Sequence, residues 1–532
     1  MKKIRFLFCI GLFCVPFSLQ AQTPSRTEIL TALKTATRYF DERVDSNGRF
    51  VWYYALDFSR RWGELEAYPS MAWMQGQGSI EMGETFLDLF DATKDTFYLN
   101  LALKVAHTLA QGQLECGGWH YFIDFAGKES LNRWYKTIGK SGWRLEEFRY
   151  YYDNATFDDG VTANATMFLL RMELTHPTAE VRTALMKALN FIKESQYPNG
   201  AWPQRYPPRD SLYKLGYPSY PSYYTFNDDV IWNNIVFLIT YRKVFGDASL
   251  DEPIRRGMNF YLVSQMPAPQ AGWSQQYSFD LRPAAARTYE PAGLDPFFTA
   301  KHIAALCKFY EMTGEKKYLA RIPEALSWIE SVALSKENGV FLLPKFVEVG
   351  TNKPLYTHRR GSNTKCGLYY VDYNSKNTLG HYRSVRPLNF DAVNLIYRTT
   401  LKEQPKRSES FYIPNIDSNQ NPLDRIKQVC KYLQSTGEAV IEEPLATVNH
   451  VNDILAALDS EGRWKTRHAM ISNPYHGEPT TCDSTTEAYA SSYVGDEYDT
   501  SPFENPTQEE YLSTSYYIRN VHILLDYLQN GK

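Results

Sequence analysis

Apolar residues recur at three- and four-residue spacing along most of the chain, in runs separated by short polar or glycine-containing breaks, and this period predicts amphipathic helices. Four runs repeat one pattern. Phe97–Trp119, Thr175–Trp202, Phe245–Trp273 and Thr313–Phe341 each carry a turn, a helix of roughly 15 residues and a glycine-plus-aromatic exit. Thr27–Val44 precedes them as a further helix ending at the exit NGRFVW. Between the copies lie second helical segments at Asp159–Leu174, Val230–Val244 and Thr299–Met312. A helix with one apolar stripe must bury it on a neighbour, so the helices are expected to pair, one inner and one outer. The predicted fold is all-α, an α/α toroid or barrel of paired helices, with short β-hairpins or extended loops at one rim. The exits fall on that rim, which is where a site is expected.

Beyond the repeats, Gln404–Pro422 reads as an irregular crossing rich in Ser, Pro and Asn. Asp424–Ser435, His450–Leu458 and Gln508–Gln529 are further predicted helices. The expected division is a signal peptide over 1–21, a toroid catalytic domain over 22–400, and a helical extension over 401–532 that closes or caps the ring.

Composition narrows the function. Among 532 residues, 43% are hydrophobic and 22% charged, enough to bury a large core. Fifty-seven basic residues face 60 acidic ones, a net charge of -3, with no Lys/Arg block, so no nucleic-acid partner is expected. The basic and apolar start, with Lys2, Lys3 and Arg5 before Phe6–Leu19 and Ala21, reads as a secretory signal, which places the mature protein in the periplasm or outside the cell. No other run approaches the roughly 18 apolar residues a membrane span needs, and a soluble monomer is expected. Five cysteines remain after the signal, without a CxxC pair, so neither zinc nor a deducible disulfide framework follows. His381, His468 and His476 have no helical partner and are assigned no metal role. The aromatic content is 15%, and Trp119, Trp202, Tyr206 and Trp273 suit either sugar stacking or plugs that seal each repeat; their recurrence favours plugs.

Acidic and basic residues cluster at the junctions between paired helices. NATFDDG places Asp158 and Asp159 before one helix, TFNDD places Asp228 and Asp229 before the next, and AARTYEP carries Arg287 and Glu290. An isolated Asp at such a boundary is usually a helix cap. Recurrence at equivalent places in successive repeats would instead gather carboxylates at one rim. Two converging carboxylates serve either glycoside hydrolysis or a hard cation such as calcium. Arg287 favours a third chemistry, β-elimination from a uronate, in which the C5 proton is removed while cations neutralise the neighbouring carboxylate.

NATFDDGVTANATMFLLRM, QYPNGAWPQRYP, YTFNDDVIWNN, GWSQQYSFDLRPAAARTYEP and FVEVGTNKPLYTHRRG, in this order over roughly residues 72 to 385, resemble the signature blocks of the family 10 pectate lyases. The resemblance implies a helical toroid that cleaves pectate by calcium-assisted β-elimination with an arginine as base. Matched block by block, Arg287 is the base, Asp158 a catalytic carboxylate, and Asp158 with Asp228 the Ca2+ ligands. Arg359 falls on an arginine expected to grip a uronate carboxylate. Lys353 stands where arginine is commoner and keeps the charge without the bidentate fork. Asn227, Trp202 and Tyr206 are further candidate substrate contacts. An arginine base requires neighbouring cations and a sealed pocket, because its pKa in water is above about 12.

The chain also departs from the family. AGLDPFFTA replaces a Pro-Ser-Leu-Ser-Gly stretch after AARTYEP, and GWSQQY lacks the Cys and His often found in its counterpart. The segment Asp124–Tyr152 and the tail after Arg386 are additional. Three alternatives therefore stand beside a pectate lyase: a lyase for another uronate such as a rhamnose-glucuronate linkage, a glycoside hydrolase using Asp158 and Asp228, and a carbohydrate-binding protein without turnover.

Overall fold

The computed structural model describes residues 23–45, 47–139, 151–208, 220–287, 289–360, 368–376, 378, 384–405, 411–413, 416, 420–434, 447–471, 503–504 and 510–530. The signal segment, Cys366, Cys482, His381 and His476 lie outside them.

Outer helices carry a single buried stripe. In α6 (Ala179–Glu194) the buried positions Val181, Ala184, Leu185, Ala188, Leu189 and Ile192 follow the three-four spacing, and the Thr178 hydroxyl caps the first turn from Val181 N at 3.1 Å. The same role falls to α1 (Arg26–Tyr39), α3 (Thr96–Gly112), α8 (Asp251–Val263), α10 (Ile322–Val332) and α13 (Val448–Ala457). In the inner helix α9 (Pro296–Thr313) almost every side chain is covered, and Asp295 caps it by accepting from Phe297 N and Phe298 N, with Pro296 at the first position. The other inner helices are α2 (Ser79–Thr93), α5 (Val161–Thr175), α7 (Val230–Phe245), α11 (Phe390–Thr400) and α14 (Thr514–Asn530). The inner helices α5, α7 and α9 are buried on several sides, whereas α11 and α14 near the chain's end bury fewer positions. Outer and inner helices alternate as an α/α toroid.

Each exit is built the same way. The indole N–H of Trp119 donates to Leu109 O at 2.9 Å, that of Trp202 to Ile192 O at 2.8 Å, and that of Trp273 to Tyr261 O at 2.9 Å, so each ring folds back and caps the outer helix that precedes it. A glutamine then ties that helix to the next. Gln196 Nε2 donates to Gly200 O and Pro253 O, as Gln113 does to Gly117 O and Ala184 O. Gly200 has φ +98°, and a Cβ there would stand 2.1 Å from Arg256 O, so the tight approach to α8 excludes any other residue. The Thr313–Phe341 copy differs: Asn338 and Gly339 form a hairpin turn and Phe341 sits on the strand Val340–Pro344, stacked on Phe390.

Short strand pairs stitch neighbouring repeats at the rim. Met71–Trp73 pairs with Phe122–Asp124, Ala155–Thr156 with Arg205–Tyr206, and Tyr224–Thr225 with Gln276–Tyr277. The same device joins the chain ends, because Tyr53–Ala55 pairs with Tyr511–Ser513. Here α14 packs on α1 and α2, and Trp464 N–H caps Ile454 O in another exit of the same kind.

Two described helices of the additional segments pack against the ring. Helix α4 (Lys128–Thr137) seats Trp134 against Phe122 and Trp73, with its indole N–H on Glu66 O. Helix α12 (Pro422–Gln434) lies at the far end of the lumen, where Lys427 pairs with Asp91 of α2, Arg425 donates to Lys243 O of α7, and Tyr432 donates to Glu311 of α9. These partners belong to the last turns of inner helices, so α12 plugs the base opposite the rim. Ile426, Val429 and Leu433 on it are buried, and burial of this kind contributes about 1.5–3 kcal/mol per side chain. Cys116, Cys307 and Cys430 are free thiols. Among the described residues no helix is long and apolar enough to cross a membrane.

Candidate active site

The inner helices start at the rim, and the short turns before α5 and α7 carry the acidic pairs. Asp159, Asp228 and Asp229 adopt left-handed backbone with φ of +49°, +49° and +56°. Such conformations cost non-glycine residues about 1–3 kcal/mol each and concentrate at functional sites. No side chain caps α5 or α7 there. The cap reading fits Asp295 and does not describe Asp158 or Asp228.

Asp158 is fully buried, and its Oδ2 accepts from both the Tyr121 hydroxyl and Arg287 Nη2, the latter at 2.7 Å. Arg287 is 3% exposed, and its Nη1 donates to Glu290 Oε1 at 3.0 Å. The guanidinium thus spans a rim carboxylate and its own loop. Asp228 lies near enough to Asp158 to feel its charge, and its Oδ2 accepts from the Asn227 amide at 2.7 Å. Burial pushes the Asp228 carboxyl well above its ordinary range, the negative charges of Asp158 and Asp159 push it the same way, and Arg287 pulls it down. Outside this core, Gln75 Nε2 donates to Asp159 and to Glu64, while Trp73 N–H fixes the amide oxygen. Lys301 donates to both oxygens of Asp229 at 2.9 and 2.7 Å.

Arg287, Asp158, Asp228 and Asn227 therefore meet at one place. Other expected residues are placed differently. Trp202 is 0% exposed and is spent capping α6, so it offers no face to a sugar; the expectation of substrate contact there is corrected to a core plug. Tyr206 is half-buried, edge-on to Phe191 at 5.8 Å. Lys353 is exposed on a hairpin, with its ammonium 5.1 Å from the Tyr373 ring. Arg359 lies on the strand Pro354–Arg360 opposite Tyr369, and its side chain is outside the described residues.

The sequence reading missed Tyr121, Gln75, Glu64, Arg205 and Lys301. A signal for two of them exists in the repeat: Tyr121 stands two positions after Trp119 and Arg205 three after Trp202, on the segments that leave each plug. The donor set at the centre is oxygen only, from carboxylates and an amide. No group of three or more His, Cys, Asp or Glu arranged to hold a metal occurs among the described residues.

Residues 146–296 match the pectic acid lyase family. This matched segment contains Asp158, Asp228, Arg287 and Glu290. Among solved structures, a family 10 polysaccharide lyase from Cellvibrio cellulosa is similar at 18% identity over 51% of this chain and 82% of its own, with a TM-score of 0.36. A mutant of a family 10 lyase from the same organism, in complex with trigalacturonic acid, is 15% identical over 67% of this chain and 98% of its own, with a TM-score of 0.36. A cellobiose 2-epimerase from Bacillus thermoamylovorans is 11% identical over 94% of this chain and 99% of its own, with a TM-score of 0.41. No curated protein matches the chain.

Proposed function

We propose that the protein is a secreted pectate lyase that cleaves polygalacturonate by calcium-assisted β-elimination. The observation that carries this reading is the convergence of Arg287 on Asp158 with Asp228 alongside. A buried guanidinium at a pair of carboxylates suits proton removal beside a uronate carboxylate better than hydrolysis. In a glycosidase Asp158 would have to face the scissile bond, whereas its Oδ2 is held by Arg287 and Tyr121.

Calcium fits the donor chemistry, since the centre offers hard oxygen ligands and crowded negative charge. Asp158 and Asp228 would hold it. When bound, the ion neutralises the uronate carboxylate and acidifies the C5 proton. To accept that proton Arg287 must first give up one of its own to solvent and act as the neutral guanidine; its ion pairs with Asp158 and Glu290 favour the cation, and a metal ion sharing Asp158 would weaken that preference. Asn227 orients Asp228, and Lys353 and Arg359 engage further carboxylates along the glycan. Export through residues 1–21 and action as a monomer belong to the same proposal.

The test is digestion of polygalacturonate with calcium and with a chelator, followed by the ultraviolet absorbance of an unsaturated uronate. Metal-dependent product is expected, and Arg287→Ala should lower turnover by about 10²–10⁴-fold. Near-normal turnover of that variant would remove Arg287 from the base role. Product from a rhamnose-glucuronate chain alone would favour the other uronate.

A further inference from the structure

Asp158 owes its orientation to a residue outside the matched family segment. Tyr121 immediately precedes the strand Phe122–Asp124 that leaves the Trp119 plug and is completely buried, so it cannot touch a polysaccharide. Its hydroxyl donates to Asp158 Oδ2, the same oxygen that receives Arg287 Nη2. An oxygen that receives an O–H and an N–H from two directions is fixed in rotation, and a donor to a charged acceptor holds it more firmly than a neutral pair does. The Tyr121 backbone is anchored in turn, because its carbonyl accepts from Met74 N at 2.7 Å beside Gln75, the residue that holds Asp159. Both aspartates of the turn are thereby held from the preceding repeat.

The ring of Tyr121 is also anchored. The Arg205 guanidinium lies 4.8 Å from the Tyr121 ring and 4.8 Å from the Tyr152 ring. Tyr152 closes the additional segment Asp124–Tyr152, and the neighbouring His120 is kept neutral by burial and by Arg205. A cation shared between two rings is worth about 0.5–2 kcal/mol when desolvated. Tyr152 is therefore linked to the site wall through Arg205 and Tyr121.

We propose that Tyr121 is a positioning residue for the elimination, setting the Asp158 carboxylate and, through the shared oxygen, the approach of Arg287 to the C5 proton. This inference rests on the lyase reading. Tyr121→Phe keeps the ring and its contact with Arg205 while removing the donor. The expected result is a kcat lowered about 10- to 100-fold, the worth of one hydrogen bond to a charged group, with KM within about twofold and the melting temperature within about 4 °C of wild type. A merely structural role would lower activity only together with the melting temperature. An unchanged kcat, a loss confined to KM, or a loss that follows the melting temperature would each overturn the inference. If wild-type protein forms no unsaturated uronate, the lyase reading falls and takes this inference with it; wild-type turnover with undiminished Tyr121→Phe overturns the inference alone.

Discussion

His302 sits in a box of Phe226, Tyr261, Trp273 and Phe298, with ring centroids 4.4 to 5.9 Å away, and burial together with Lys301 holds its imidazole well below the usual range. His120 is depressed for the same reasons, burial first and then Arg205. In both cases the unfolded chain binds a proton more readily than the fold. Stability is therefore fully present above the unfolded pKa of about 6.5 and falls as the solution is acidified below it, by up to about 1.4 kcal/mol per pH unit for each histidine. Urea melts between pH 7.5 and pH 5 measure this, and His302→Leu is expected to flatten the slope. Trp202 gives a second expectation at this scale. Trp202→Phe removes the N–H that caps Ile192 O and leaves a smaller ring, at a cost of about 1–3 kcal/mol, while KM for polygalacturonate stays within about twofold. A large rise in KM with unchanged stability would return Trp202 to the sugar.

Among the elements, the outer helices were legible because a single stripe such as Val181, Leu185 and Ile192 is the strongest signal a sequence carries. Inner helices were read from the same spacing, but α7 and α9 are buried nearly all round, so their covered positions extend well beyond the single stripe that the spacing suggested. The exits were visible as glycine plus aromatic, but their mechanism was not: the indole reaching back to a carbonyl and the Gln196 bridge to the next helix depend on tertiary approach. Gly200 tests that approach. Gly200→Ala should destabilise by about 2–4 kcal/mol, because the new Cβ meets Arg256 O, whereas Gly246→Ala, at φ +76° with open space around it, should cost only about 1 kcal/mol. Equal costs, read from denaturant melts, would mean the glycine serves its turn alone.

Across the whole molecule, the acidic turns gather because equivalent positions of successive repeats share one rim, which the spacing of Asp158 and Asp228 already implied. Of the residues that support them from other repeats, Tyr121 left a trace in its place two positions after the Trp119 plug, while Gln75 was illegible because nothing local marks one polar residue in the turn after Met71–Trp73. The tail illustrates the same limit. Its helices were readable by period, yet nothing local told that α12 enters the base of the ring or that Tyr511–Ser513 pairs with Tyr53–Ala55. A chain ended after Asn421 would lose the plug, the rim pairing and α14 together, and it should show no cooperative melt; a cooperative transition near that of the full chain would contradict this. The central claim is that the Arg287–Asp158–Asp228 cluster eliminates rather than hydrolyses. Digestion of polygalacturonate in heavy-oxygen water, read by product mass, tests it most directly. The account predicts products that carry a 4,5-unsaturated uronate, weigh one water less than hydrolytic ones and contain no solvent oxygen; saturated products bearing the heavy label would contradict it.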